Sequence, residues 1–385
     1  MRKINFSIFS IVIILLALFL VWVKTTPVEI SQPANDVEKE VNQIAYTIEE
    51  VASGLNTPWS IVFTSPNRIL ISERLGRLRV IENGHLLALP LHIFDEVSST
   101  GEEGLMSLAL DPDYQKNHRV YASMAYLKNS AMFVKVVSFI DKEDHISLER
   151  SVIDLIPAAK FHAGSRIAFG LDRKLYITTG DATDKALPQN LSSLAGKILR
   201  VNNDGSIPLD NPFSNSPVWS YGHRNSQGIA WHPITDEMYS TEHGPSVFDG
   251  PAGGDEINHI VKGGNYGWPL VSHENTKEDA VAPLKIFTPA EAPASAMIYS
   301  GKVFSQFKNN LFFGALVGEG LMRIIFDEND NEKIISAEKL KEIKYGRIRD
   351  VTESPEGLIY FSTSNRDGRG NPSISDDRIF RIVPK

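Results

Sequence analysis

In the stretch HAGSRIAFGLDRKLYITTGD, His162 and Asp181 stand 19 residues apart, one on each side of a strand-like run. Imidazole is the side chain whose ordinary pKa lies near neutrality, and a carboxylate can fix its tautomer and stabilise the imidazolium. The pair therefore has the composition of a general base and the group that orients it. Two water-facing loop residues would read the same way, because the ends of one strand lie many ångströms apart and contact needs a returning loop.

Three further segments carry chemistry. In GRIRD (346–350), Arg347 and Arg349 are separated by two, so on a strand both guanidinium groups face one side. Two like charges aimed one way call for an anionic partner, either a polycarboxylate ligand held by paired hydrogen bonds or local acids such as Asp350. In GHRNSQG (222–228), Arg224 and Asn225 set a cation beside an amide in a glycine-flanked turn. In GGDEI (253–257), Asp255 and Glu256 offer adjacent carboxylates in a glycine-rich loop, oxygen ligands of the kind calcium takes.

These segments need a frame that gathers distant parts of the chain. Beyond residue 46 no long stretch has 3.6-residue apolar periodicity, while short β-rich runs bounded by turn residues recur throughout. A turn followed by an alternating strand returns six times, as SPNRILISER, DPDYQKNHRVYASM, GLDRKLYITTGD, HPITDEMYSTEHG, FKNNLFFGALVG and SPEGLIYFSTSN. Six such units predict an all-β, six-bladed β-propeller, in which each sheet buries its faces on its neighbours around a ring. A pair of β-sandwiches is the alternative. In a propeller the strand YTIEEVASGL (46–55) is expected to join RIFRIVPK (378–385) in the last blade, tying the two ends of the domain together.

Composition agrees with a large globular domain: 42% of residues are apolar and 22% charged, and 27 glycines with 21 prolines supply many turns. A net charge of -8 argues against a nucleic-acid surface, which requires clustered cations. No cysteine is present, so no disulfide supports the fold. Residues 1–24 carry two cations and then the apolar run Ile4 to Val23, long enough to cross a hydrocarbon layer of about 30 Å. They are expected to anchor the chain in a membrane, or to act as a cleaved signal, with the body outside the cytoplasm. Residues 25–45 read as a polar tether, and residues 46–385 as the propeller.

Several long motifs, taken together and in order, resemble one family. HAGSRIAFG…LYITTGD, GKILRVNNDGSIPLDNPF, YGHRNSQGIAW, STEHGP, GGNYGWP and YGRIRDV look like the motifs of the soluble quinoprotein sugar dehydrogenases, the glucose/sorbosone and aldose dehydrogenases that use pyrroloquinoline quinone (PQQ). The likeness runs from about residue 54 to the last blade, and that family's fold is also a six-bladed propeller. The resemblance implies oxidation of an aldose at its anomeric carbon, with electrons passing to PQQ and then to an external acceptor. It implies His162 as the base, Asp181 as its support and Arg224 as stabiliser of charge on the quinone. Asn225 would lie beside the cofactor, Arg347 and Arg349 would bind its carboxylates, and Glu102 would stand at its edge. Calcium would be held by backbone oxygens at Gly244 and Pro245, with a second ion near Asp255, Glu256 and Tyr266. Three positions depart from the family's usual residues: Glu102 for Gln, Ala290 for Thr and Val317 for Lys. The stretch SVFDGPA (246–252) looks inserted. Two other functions suit a propeller: a non-catalytic ring that binds carbohydrate or protein, and a calcium-dependent lactonase, in which the Arg347/Arg349 pair would have no task.

Overall fold

The computed structural model describes residues 45–385, so the expected anchor (1–24) and all but the last residue of the tether (25–45) lie outside the described residues. Among the described residues no helix is long and apolar enough to cross a membrane. The chain from residue 45 onward forms six antiparallel sheets. The innermost strands, Pro58–Ser65, Leu105–Leu110, Gly164–Phe169, Ser226–Trp231, Pro293–Ile298 and Ile348–Glu353, touch one another in sequence, and the last returns to the first. This closed ring is the six-bladed propeller that the repeat count predicts.

Each repeated sequence pattern turns out to be the turn and second strand of a blade: Arg68–Glu73, Arg119–Lys128, Leu175–Thr179, Met238–Glu242, Leu311–Ala315 and Ile359–Thr363. These strands are almost wholly buried, flanked on both sides within the sheet and covered by the next blade. That is why they read so clearly in sequence as apolar runs between turns. The last blade is made of three C-terminal strands plus Tyr46–Ala52, which pairs antiparallel with Ile379–Pro384 from Tyr46 opposite Pro384. The ring is thus closed by hydrogen bonds between the two ends of the domain, as expected.

One consequence of this topology positions the site. First and second strands are antiparallel neighbours, so the residues just before each first strand and just after each second strand meet at the same end of the ring. Gly164 faces Thr179, Ser226 faces Glu242, Pro293 faces Ala315 and Ile348 faces Thr363. Most of the chemistry-bearing segments flank these positions.

Candidate functional site

Between His162 and Asp181 the chain forms a hairpin, where the sequence suggested one strand run. Strands Gly164–Phe169 and Leu175–Thr179 are joined by a turn in which the Gly170 N–H donates to the Lys174 carbonyl at 2.9 Å. The hairpin returns Asp181 to the level of His162, with Nδ1 and Asp181 Oδ1 2.8 Å apart. Gly180 is what permits the approach: a Cβ there would lie 1.7 Å from the His162 carbonyl oxygen. Asp181 is fixed by two more donors, the Trp268 indole N–H to Oδ2 and the Thr183 backbone N–H to Oδ1, each at 2.8 Å. With Nδ1–H given to this carboxylate, Nε2 is the nitrogen left to accept a proton, and it has no hydrogen-bond partner among the described residues.

A cavity of about 350 Å³ opens at this end of the ring. Phe161, the chain neighbour of His162, lines it together with four arginines, Arg74, Arg347, Arg349 and Arg369. Arg347 immediately precedes its strand and Arg349 lies on it, and both point into the same space, as their spacing predicts. The local acid Asp350 does not neutralise them, because it pairs with Arg166 at 3.0 Å. Arg347 is held instead by Asp367 at 2.7 Å. Although burial pushes Asp367 up, the two arginines outweigh it and hold its carboxyl below the usual range. Arg349 has no carboxylate within ion-pairing distance among the described residues. Its Nη1 donates to Gln227 at 2.5 Å, its plane lies 5.6 Å from the Trp59 ring, and its Nε is buried without an acceptor. Burial lowers this guanidinium to about 10. A buried cation that faces a cavity without a directly paired carboxylate is a site prepared for an anion.

Arg224 and Asn225 precede the neighbouring first strand and are tied directly to the dyad. Asp181 donates its backbone N–H to the Arg224 carbonyl at 2.8 Å, and Asn225 Oδ1 accepts from the Gly164 N–H at 3.1 Å. Asn225 Nδ2 is buried and unpartnered. The Arg224 guanidinium, however, does not line the main cavity. It binds Asp249 through Nε at 2.8 Å and lies 5.6 Å from the Trp268 ring. Asp249 belongs to the stretch 246–252, which therefore reaches into the site.

The expected calcium residues do not form one cluster. Gly244 and Pro245 line both the main cavity and the small space that Glu256 and Tyr266 share, whereas Asp255 lines the main cavity alone and already accepts three backbone N–H groups, from Gly244, Glu291 and Ala292. Glu256, its neighbour on the strand Asp255–Ile260, points to the other face, as alternation requires. There it faces Glu242 across the strand pair, beside Tyr266 in a space of about 10 Å³. Burial, and then the Glu242 charge, hold the Glu256 carboxyl above the usual range. The Tyr266 hydroxyl is engaged elsewhere, donating to the His259 carbonyl at 2.6 Å and accepting from the Val261 N–H at 2.9 Å.

The family model described as Glucose / Sorbosone dehydrogenase matches residues 55–375. The chain belongs to this family. It is 30% identical to aldose sugar dehydrogenase YliI of Escherichia coli, over 83% of this chain and 91% of that protein. It is 26% identical to quinoprotein glucose dehydrogenase B of Acinetobacter calcoaceticus, over 86% and 87%. Among solved structures, the PQQ-bound aldose sugar dehydrogenase of Streptomyces coelicolor superposes with a TM-score of 0.78 at 32% identity, over 88% of this chain and 98% of that one.

The three positions expected to depart from the family's usual residues, Glu102, Ala290 and Val317, all line the cavity. The Glu102 carboxylate would weaken an anion site, and Val317 brings no cation to it. Two arginines offset them. Arg369 pairs with Glu102 at 2.5 Å, and Arg74 adds a guanidinium whose Nε is buried without an acceptor. Sequence reasoning missed both, as well as His243 and Trp268. Arg74 and His243 were findable, since each directly follows a second strand, the blade position that Asp181 also flanks. His243, buried and surrounded by Arg224 and Arg349, has a pKa well below its ordinary value and is kept neutral.

Proposed function

We propose that this protein is a PQQ-dependent aldose dehydrogenase that oxidises a sugar at its anomeric carbon. The observation that carries the proposal is a buried His162–Asp181 dyad beside a cavity lined by four guanidinium groups, two of which, Arg74 and Arg349, have no ion-paired carboxylate among the described residues. A polycarboxylate cofactor suits this donor set, and the buried, unpartnered Arg74 Nε, Arg349 Nε and Asn225 Nδ2 are donors awaiting acceptors. When bound, PQQ supplies the two-electron acceptor for the hydride of the anomeric carbon.

The remaining work falls to the chain. His162 Nε2 takes the proton of the anomeric hydroxyl, and Asp181 holds the imidazole in the required tautomer and stabilises its charged form. Arg347, Arg349, Arg74 and Arg369 bind carboxylates. Arg224, whose carbonyl accepts from the Asp181 N–H, and Asn225, whose amide oxygen accepts from the Gly164 N–H, are assigned to the quinone end. Calcium enters the proposal through Gly244 and Pro245 at the cavity wall. A second ion held jointly by Asp255, Glu256 and Tyr266 does not fit, because Asp255 faces away from the other two. The electron acceptor is external. The apolar run Ile4 to Val23 supports a location outside the cytoplasm, at a membrane.

Titrating the purified protein with PQQ, with and without calcium, and following absorbance should give saturable binding. Reconstituted protein should then reduce an artificial dye when given glucose. Absence of binding would instead favour a non-catalytic ring, and hydrolysis of a lactone without PQQ would favour a metal-dependent hydrolase.

Trp268 is a positioning residue in this scheme, since its indole N–H is one of the donors that hold Asp181. Trp268→Phe keeps most of the ring and deletes that donor. We expect kcat to fall about tenfold, the value of one hydrogen bond to a charged group, with KM little changed. Equal effects on both constants, or an effect on KM alone, would remove this role from Trp268.

A further inference from the structure

Among the described residues, only two Phe, Tyr or Trp side chains are more than a third exposed: Phe161 at 39% and Phe248 at 67%. Both adjoin His162. Phe161 precedes it in the chain and lines the cavity, with the Arg369 guanidinium 5.3 Å from its ring. Phe248 stacks on the imidazole itself, with ring centroids 5.7 Å apart and planes inclined by 29°. An isolated exposed apolar side chain is ordinary, but two exposed aromatic rings gathered at one base, in a protein whose other described aromatic residues are buried or partly buried, mark a contact surface.

Phe248 is held there by a built turn. The Asp249 carboxylate binds Arg224 Nε at 2.8 Å and the Ser246 N–H at 2.7 Å, and its side chain is 8% exposed. The Gly250 N–H donates to the Ser246 carbonyl at 2.9 Å, and Lys185 Nζ donates to the Asp249 carbonyl at 2.5 Å. The turn thus presents Phe248 outward and ties its position to Arg224, the residue assigned to the quinone end. The stretch 246–252 supplies the ring, its latch and the neighbouring exposed Val247.

A pyranose has an apolar face made of C–H bonds, while its hydroxyl groups project around the rim. Such a face packs on an aromatic ring and leaves the hydroxyl groups to polar partners. We propose that Phe248, assisted by Phe161, is the platform that binds the sugar ring by the C–H face opposite the anomeric hydrogen, leaving that hydrogen free to be transferred, and delivers the anomeric hydroxyl to His162 Nε2. This rests on the reading of His162 as the base. The platform selects cyclic aldoses over open-chain polyols, which have no rigid apolar face to offer.

The test uses the reconstituted protein with methyl β-glucoside, which lacks a free anomeric hydroxyl and is not turned over. In saturation-transfer NMR the H2 and H4 protons, on the face opposite H1, should receive most of the saturation, and Phe248→Ala should lose it while Phe248→Tyr keeps it. For glucose oxidation, Phe248→Ala should raise KM about tenfold, the size of one partly covered aromatic contact, with kcat within about twofold of the parent. If Phe248→Ala leaves KM unchanged or raises kcat/KM, Phe248 is a cover over the base and the platform is rejected. His162→Gln separates the two readings: it should keep the saturation signal while losing turnover. An active His162→Gln would reject the base while the saturation pattern still judged the platform.

Discussion

Replacing His162 by Gln should lower aldose turnover by roughly 10²- to 10⁴-fold, the contribution of a positioned general base, while leaving the fold and the binding of PQQ intact. Gln is chosen because its amide reaches as far as the imidazole nitrogens and can still hydrogen-bond Asp181, yet takes no proton at neutral pH. His162 sits in the left-handed region at φ 57°, where a residue other than glycine is strained, so His162→Asn is a useful second variant because Asn tolerates that region better. Circular dichroism and a thermal melt check folding, an absorbance titration checks the cofactor, and steady-state dye reduction checks turnover. Full activity in either loaded variant would remove His162 from the chemistry. Loss of turnover together with loss of the cofactor would show that the residue serves binding instead.

The fold was legible because its strongest signal is repeated. A second strand buried on all sides must be apolar and must be bounded by turns, and six copies of that demand leave six visible patterns. The pairing of Tyr46–Ala52 with Ile379–Pro384 followed from ring closure and required no local cue. The site was partly legible. Arg347 and Arg349 could be placed together from alternation alone, and they share the cavity although only Arg349 lies within the strand. The same alternation, applied to Asp255 and Glu256, should have separated them, and it does. The hairpin between His162 and Asp181 was half visible: GLDRK reads as the turn that opens a repeat, but the run before it does not read as pairing back onto the strand that follows.

What the sequence concealed is mostly contact between blades. Arg369 meets Glu102 across more than half the length of the chain, and Trp268 reaches Asp181 from a long loop of the next blade. No periodicity records such meetings, since they depend on where loops of different length happen to return. The stretch 246–252 could be singled out in the sequence, but nothing in it signalled that Asp249 would hold Arg224 or that Phe248 would lie on His162.

Two arginines that share the Trp59 ring separate stability from binding. Arg166 pairs with the buried Asp350 at 3.0 Å, and both Arg166 and Arg349 lie over Trp59, at 4.4 Å and 5.6 Å. Removing Arg166 leaves Asp350 buried without its partner, a loss of about 3–5 kcal/mol of stability. Arg349 has no such partner, and its burial has already lowered its pKa to about 10, a sign that the folded protein bears an unrelieved desolvation cost there. Arg349→Met should therefore melt at the same temperature as the parent or higher. Its affinity for PQQ should nevertheless drop by roughly 30-fold or more, because a buried charged hydrogen bond to a carboxylate is worth about 2–5 kcal/mol when one side is truncated. Differential scanning fluorimetry and an absorbance titration measure the two effects separately. A variant that loses stability and keeps its PQQ affinity would show that Arg349 is a structural cation, and the cavity would then need another anchor for an anion. The opposite result would mean that the ring carries a cation it does not need for folding, stabilised only when a carboxylate arrives.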